Sequence, residues 1–322
     1  MTRLSAILSL VLLAAHFAIL PAAAQYPARP IHLIVPAAPG GGTDIAARSF
    51  VPALQDNLGQ PVVIENRGGA GGIIGTDLVA KAAPDGYTLL LCYVSHATNP
   101  TLAAKLPYDT LRDFAPITLV AHEPTLLVTN PSVPASTLAE FIAYARERPG
   151  KLSYGTDPGS AGFLAGELFK QTTGLTSIEY VAYKGSGPAA ADVVAGHLPY
   201  MWSVISIVTP FIKAGRLKGL AIAAERRAPN LPEVPTTAEA GLQDFQVSGW
   251  YGLVAPAKTP KAVIDRVHAA AAKALQSEAV LARLATSGSL PIGAGPEQLD
   301  AHIRSEIARW EKVLKAAGVQ LK

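Results

Sequence analysis

The chain has 322 residues, of which 27 are Lys or Arg and 24 are Asp or Glu, so its formal net charge is +3. This length leaves room for two domains and a large core, so neither disulfides nor a metal is required for folding. The slight charge is spread along the chain rather than gathered in a run, which argues against a nucleic-acid-binding protein. Hydrophobic residues make up 49% of the chain beside 28 Gly and 26 Pro, a composition typical of a folded protein with many loops.

Residues 1–24 have the layout of a secretory signal peptide. They open with one basic residue, Arg3, continue as an apolar run over residues 4–20, and end in three alanines before Gln25. A membrane anchor is the alternative, but the run is shorter than the ~20 residues that a spanning helix needs. We therefore predict a signal peptide that is cleaved after Ala24 and a mature protein in the periplasm.

Beyond the signal peptide, short aliphatic runs alternate with Gly-rich or Pro-rich turns and longer stretches of helical spacing. This alternation predicts an α/β fold with a mainly parallel sheet. The predicted strands cover residues 31–35, 62–65, 88–93, 117–120, 126–128, 152–154, 178–181, 220–223 and 251–254. The predicted helices cover residues 43–58, 73–83, 137–148, 163–173, 189–195, 261–276, 278–286 and 296–315.

Domain boundaries have to be inferred, because neither an internal repeat nor a low-complexity linker divides the chain. Two extended segments, near residues 117–122 and 247–254, flank a middle region with its own alternation of strands and helices. If both segments cross between lobes, residues 25–121 and 249–322 form lobe 1, and residues 122–248 form lobe 2. Paired crossovers of this kind predict a hinged cleft.

Three Gly-rich turns, each between a predicted strand and a predicted helix, are candidate ligand sites. They cover residues 36–44, 155–162 and 183–189. Glycines let the backbone approach a ligand closely, and the free N–H groups of a first helical turn favour an anion. In the first turn, Thr43 or Asp44 could instead only cap the helix. Because ligands of open α/β sheets lie beyond the carboxyl ends of the strands, we expect all three turns to meet at one cleft.

Motifs of catalysis, nucleotide binding and metal binding are missing from the sequence. It contains no G-x-S-x-G, S-x-x-K or P-loop pattern, and its seven histidines form no H-x-x-x-H pair. Cys92, the single cysteine, lies in an apolar run and reads as a small buried hydrophobe. We predict no catalytic residue, no metal and no cofactor, and we single out His96 as the one histidine expected in the cleft.

Six segments, read in order, resemble the tripartite tricarboxylate transporter receptor family, the Bug-type extracytoplasmic solute-binding proteins. Together they span nearly the whole mature chain. They are PGGGTD at residues 39–44, ENRGGAGG at 65–72, PDGYTL at 84–89, YKG at 183–185, LPEVPTTAEAG at 231–241 and WYGLVAP at 250–256.

The resemblance implies a two-lobed periplasmic-binding-protein fold of type II that closes on a small carboxylate. It implies binding rather than turnover, and delivery of the ligand to the membrane permease of a tripartite transporter. A periplasmic sensor that uses the same closure remains an alternative, and an enzyme that uses the cleft for chemistry is a further one. We expect a monomer whose partners are the ligand and the permease, and no nucleic acid.

The resemblance also implies that backbone amides and hydroxyls of the cleft turns hold the ligand. The residues expected to bind it are Gly41, Gly42, Thr43, Asp44, Ser95, Thr156, Gly159, Ser160, Lys184, Gly185, Ser186 and Ser203.

One departure from the family pattern concerns two positions that are often acidic, at which this chain has Pro199 and Ser203. An acid that could meet a ligand amine is missing there, so we predict a ligand without a cationic group. Trp202, between these positions, is interpreted either as an aromatic residue in the wall of the cleft or as a core residue.

Overall fold

The computed structural model describes residues 26–318. The predicted signal peptide therefore lies outside the described residues. Within the described part of the chain, none of the helices combines the length and apolarity needed to cross a bilayer.

Strands and helices alternate along residues 26–318. The strands are β1 (Ile31–Val35), β2 (Val62–Asn66), β3 (Thr88–Tyr93), β4 (Phe114–Thr129), β5 (Ser153–Thr156), β6 (Glu179–Ala182), β7 (Tyr200–Val204), β8 (Lys218–Ile222), β9 (Ser248–Pro256) and β10 (Leu290–Ala294). The α-helices are α1 (Gly42–Leu58), α2 (Ile73–Ala80), α3 (Ser95–Leu102), α4 (Leu138–Arg146), α5 (Ala161–Thr173), α6 (Ser186–Ala195), α7 (Ile205–Lys213), α8 (Lys261–Leu275), α9 (Glu278–Ser287) and α10 (Pro296–Ala317). A short 3-10 turn, Ala70–Gly72, precedes α2.

The strands form one sheet in the order β2-β1-β3-β9-β4-β7-β5-β6, with β8 and β10 pairing with β4 off this path. Strands β1, β2 and β3 are parallel, and so are β5, β6 and β7. Strands β4 and β9 run antiparallel to their neighbours. The sheet is therefore mixed, and the expectation of a mainly parallel sheet holds only for its two outer parts.

The mixed sheet arises because one long strand belongs to both of its parts. From Phe114 to Pro124, β4 pairs with β9, and from Thr125 to Thr129 it pairs with β7 and β8. We call the strands on the two sides of this change the first half (β1, β2, β3, β9, β10) and the second half (β5, β6, β7, β8). The chain leaves the first half along β4 and returns along β9, so these two strands must be antiparallel.

Most predicted elements are confirmed, with small differences at their ends. The predicted strands 117–120 and 126–128 are parts of β4, because Pro124 interrupts the apolar pattern but not the strand. The sequence analysis missed α3, β7, α7 and β10. Helix α7 is rich in β-branched residues, which have low helix propensity, and it is nevertheless a helix because Ile205, Ile207 and Val208 are buried against the second half.

The carboxyl-terminal helix α10 covers the sheet with the apolar face that its spacing predicts. Leu299, Ile303, Trp310 and Leu314 are at most 3% exposed. Cys92 is also buried, as predicted, and burial raises the pKa of its thiol to about 12.

Candidate ligand-binding cleft

A narrow pocket lies where the two halves of the sheet face each other. Five helices begin at its wall: α1 after β1, α3 after β3, α5 after β5, α6 after β6 and α7 after β7. The centres of water-sized spheres can occupy about 30 Å³ of it, room for roughly two water molecules. We call it the cleft pocket.

The helix amino termini in the wall of the cleft pocket favour an anion, although this wall carries no positively charged side chain. Among the described residues that line it, none is Lys, Arg or His. The positive end of a helix dipole and the unpaired N–H groups of a first turn attract negative charge. In the wall these groups belong to Gly42 and Thr43 of α1, Ala161 and Gly162 of α5, and Ser186 of α6.

One carboxylate also lines the cleft pocket. Asp157 accepts hydrogen bonds from the hydroxyls of Ser186, Thr156 (3.2 Å) and Tyr93 (3.2 Å). It is 6% exposed, and these donors satisfy its buried oxygens. The pocket therefore contains an acid although Pro199 and Ser203 are not acidic, so a ligand without a cationic group does not follow from those two positions alone.

A second carboxylate lies one side chain behind the wall. Glu123 on β4 is fully buried and accepts hydrogen bonds from the hydroxyl of Tyr251, which lines the pocket, and from the backbone N–H of Ser206 (2.7 Å). Burial raises the pKa of Glu123 to about 7, although the hydrogen bonds from Ser206 and Tyr251 oppose this rise. Glu123 pairs with Gly249 of β9 just before β4 changes partners, so it lies where the chain crosses between the halves.

The two halves touch directly across the cleft. The hydroxyl of Thr98 on α3 donates to the carbonyl of Gly159 (2.9 Å), and Tyr93 of β3 donates to Asp157 after β5. A Cβ on Gly187 would lie 3.2 Å from the carbonyl oxygen of Gly40, so α6 and the first turn are in close contact. The structure is therefore a closed form.

A roomier space adjoins the cleft pocket and shares Tyr93 and Asp157 with it. Water-sized spheres can be centred in about 240 Å³ of this neighbouring pocket. Its wall includes Gly69–Gly72 and, at its exposed rim, Lys184. The sequence analysis used this glycine run as one of the six family segments and assigned no ligand contact to it.

The structure brings seven of the predicted site residues together and leaves five outside the wall. In the wall of the cleft pocket are Gly41, Gly42, Thr43, Ser160, Gly185 and Ser186, and Lys184 is in the neighbouring pocket. The residues outside the walls of both pockets are Asp44, Ser95, Thr156, Gly159 and Ser203.

Each of these five has a structural partner instead. Asp44 accepts from the N–H of Gly40 (2.9 Å) and from Arg48 (3.0 Å), and although burial raises the pKa of its carboxyl, these hydrogen bonds hold it below the usual value. Thr156 supports Ser186 from behind (2.9 Å). Gly159 accepts the hydrogen bond from Thr98, Ser95 is buried beside Gly72, and Ser203 is buried within β7.

The expectation that His96 lies in the cleft is wrong. Residues 95–99 begin α3 rather than forming a turn, and His96 is 1% exposed, packed on Tyr108 and Phe114 away from both pockets. Burial lowers the pKa of His96 to about 4. Trp202 is core, because its ring packs against Phe169 and Phe245.

The sequence analysis missed Tyr93, Asp157, Glu123 and Tyr251. Tyr93 ends a predicted strand and Asp157 lies in the second Gly-rich turn, positions from which side chains reach a cleft, so this signal was present. Glu123 and Tyr251 lie inside long strands, and only the pairing of β4 with β9 reveals them. Within residues 26–318, no group of three His, Cys, Asp or Glu side chains is arranged to hold a metal ion.

A two-lobed α/β fold that closes over a pocket at the carboxyl ends of its strands is that of a periplasmic solute-binding protein. Similar solved structures include the periplasmic binding protein BugD, with 34% identity, a TM-score of 0.89, and coverage of 92% of this chain and 100% of that one. The chain belongs to the tripartite tricarboxylate transporter receptor family, whose model matches residues 46–319. The family is one of solute-binding proteins, as the sequence motifs predicted.

Relatives and neighbouring structures agree with this membership. BugT of Bordetella pertussis is 42% identical over 325 residues, which cover 100% of this chain and 99% of BugT. MatC of Rhodopseudomonas palustris, solved with bound malate, has 36% identity and a TM-score of 0.85 over 90% of this chain and 100% of MatC. An R. palustris protein solved with adipate has 36% identity and a TM-score of 0.88 over 92% of this chain and 99% of its own.

Proposed function

We propose that this chain is an extracytoplasmic receptor that captures a small carboxylate by lobe closure and delivers it to the permease of a tripartite transporter. The observation that carries the proposal is the meeting of five helix amino termini at one pocket whose described wall has no cationic side chain. Such a site suits an anion that must be released again. The malate and adipate bound by the two R. palustris proteins support a carboxylate ligand.

The energies agree with reversible capture. A hydrogen bond to a charged group contributes about 1.5 to 3 kcal/mol. Four such bonds, after the cost of ordering the ligand, reach the roughly −8 kcal/mol of a micromolar site. Backbone N–H groups and the hydroxyls of Thr43 and Ser160 can supply them.

In this proposal two lobes move relative to each other. Lobe 1 comprises residues 25–121 and 249–322, and lobe 2 comprises residues 122–248. Two observations support these boundaries: β4 changes its partners between Pro124 and Thr125, and β9 begins at Ser248. Ligand that bridges both lobes shifts the equilibrium toward the closed form. The export signal that ends at Ala24 places this cycle in the periplasm.

The test is a thermal-shift screen of residues 25–322 against malate, adipate, citrate, benzoate and aspartate, with recovery of each compound by chromatography. We expect one of the carboxylates to raise the melting temperature and to be recovered unchanged. Ser186→Ala should weaken this response because it removes a donor to Asp157, while the exposed Ser305→Ala serves as the matched control. Consumption of the carboxylate would favour an enzyme, and no response to any carboxylate would overturn the proposal.

A second measurement distinguishes a transport receptor from a sensor. Deletion of the gene should abolish uptake of the stabilising carboxylate by whole cells if the chain is a transport receptor. A sensor would leave uptake intact and change gene expression instead.

A further inference from the structure

An open groove lies between helices α1, α7 and α9, separate from the cleft. Water-sized spheres can be centred in about 600 Å³ of it. Its floor and walls include Ile45 of α1, Ser206 and Pro210 of α7, and Ala282 of α9. We call it the three-helix groove.

The three-helix groove is built from both halves of the molecule. Helices α1 and α9 belong to the first half, and α7 follows β7 in the second half. Ile45 of α1 packs against the core of the second half, which contains Ile205 and Val208 of α7. Because its walls come from both halves, the shape of the groove depends on how the halves are placed relative to each other.

The groove is also connected to the cleft through hydrogen bonds. Ser206, in its wall, donates its backbone N–H to Glu123 (2.7 Å), and Glu123 accepts from Tyr251, which lines the cleft pocket. Helices α1 and α7 both begin at the cleft pocket and continue into the groove. Two helices and one buried carboxylate therefore connect the cleft pocket to the groove.

Positive charge stands on two walls of the groove. Lys213 ends α7 and Arg283 lies on α9, and both are exposed. Neither forms an ion pair within residues 26–318, and no Asp or Glu is among the described residues that line the groove. An apolar floor between two cations fits a segment that carries both acidic and apolar side chains.

We propose that the three-helix groove is the docking surface for an acidic segment of the membrane permease, which recognises the closed form there. This inference rests on the proposed delivery of ligand to a permease. The exposed cations Lys213 and Arg283 complement the charge of an acidic protein segment. Because both halves form the walls of the groove, a segment that docks there distinguishes one arrangement of the lobes from another.

The experiment is photo-crosslinking in cells of the bacterium that carries this chain, with p-benzoylphenylalanine at Thr286 in the groove. The matched control carries it at Lys312, an exposed position on α10. We expect an adduct with a multispanning membrane protein, identified by mass spectrometry, at position 286 and not at position 312. The double substitution Lys213→Glu and Arg283→Glu should reduce this adduct by about tenfold, while the melting temperature and its response to carboxylates stay unchanged.

Four other outcomes would overturn the proposed docking surface. These are an adduct at position 312 alone, no adduct at either position, an adduct with lipid only, or an adduct that is insensitive to the charge reversal. Failure of the proposed function itself is recognised separately, because a chain that is not a carboxylate receptor gives no response in the thermal-shift screen, whatever the crosslinking result.

Discussion

The hydroxyl of Tyr251, in the wall of the cleft pocket, donates a hydrogen bond to Glu123, a fully buried carboxylate on the strand that crosses between the two halves. The same carboxylate accepts from the first turn of α7. One side chain thus joins the cleft, the crossing strand and a helix of the second half. Changes at Glu123 should therefore affect both the stability of the protein and the position of its halves.

Glu123→Gln should remove a pH dependence of stability. Burial raises the pKa of Glu123 from 4.5 to about 7, so the folded state holds this proton more tightly than the unfolded state. The contribution of Glu123 to the free energy of unfolding is then largest below pH 4.5, falls as the pH rises toward about 7, and is constant above it. The slope is at most about 1.4 kcal/mol per pH unit.

This pH dependence is tested by measuring the melting temperatures of the wild-type protein and of the Glu123→Gln variant between pH 4.5 and 8. Relative to the glutamine variant, the wild-type protein should lose stability as the pH rises through this window. All other titrating groups are shared and cancel in the difference. A difference that does not vary with pH would show that Glu123 stays ionised in the folded protein.

Gly42→Ala should oppose closure. A Cβ at this position would lie 2.7 Å from Val204 and in direct conflict with the hydroxyl of Tyr251. Overpacking of this kind costs about 1 to 3 kcal/mol, which would weaken ligand binding by about tenfold or more. Isothermal titration measures the loss, and Gly41→Ala, whose Cβ would meet only the carbonyl of Ala38 at 3.2 Å, is the matched comparison. Equal binding in the two variants would contradict the close approach at Gly42.

Thr98→Val should shift the protein toward its open form. It removes the hydrogen bond to Gly159 across the cleft but leaves the shape of the side chain almost unchanged. A hydrogen bond of this type contributes about 1 kcal/mol, so the dissociation constant should rise about fivefold. Small-angle X-ray scattering of the ligand-free variant should show a larger radius of gyration. Thr172→Val is the control, because Thr172 bonds only within its own helix, to Leu168, and it should change neither quantity.

Asp157→Asn tests the charge of the ligand. The Asp157 carboxylate faces the same pocket as the proposed anion, and repulsion at about 5 Å amounts to about 1 to 3 kcal/mol. Removing this charge should therefore tighten binding of the carboxylate that stabilises the purified protein most. Weaker binding in isothermal titration would instead mean that the ligand donates a hydrogen bond or presents a cationic group to Asp157.

Local sequence patterns predicted most of the fold. Strand β1 and helix α10 were predicted with nearly their final bounds, because an aliphatic run and a regular apolar spacing are local signals. Helices α3 and α7 were missed, since each contains an internal proline and residues of low helix propensity. Their helical form depends on burial against other elements, which a local pattern does not contain.

The candidate site, like the fold, was predicted in the parts that local sequence patterns mark. Turns that join a strand to a helix carry a visible glycine and hydroxyl pattern, and six of the predicted binding residues in them line the cleft pocket. Ser95, Thr156 and Ser203, which were predicted to bind the ligand, lie outside the walls of both pockets, since sequence position does not tell which side chains of a turn face a cavity. Asp157 lies in the second turn that the sequence analysis identified. Its three hydroxyl donors come from separate segments of the chain, so only the folded structure shows them together.

The sequence by itself determined the class of the protein, its family and the turns that carry the site, because these depend on motifs and periodicities of neighbouring residues. The tertiary structure decided which of those residues line the cleft pocket, that Tyr251 and Glu123 belong to the same unit, and that Lys213 and Arg283 border one groove. These relationships join residues far apart in the chain. Long-range strand pairing and close packing create them, and the sequence alone carries no local signal for either.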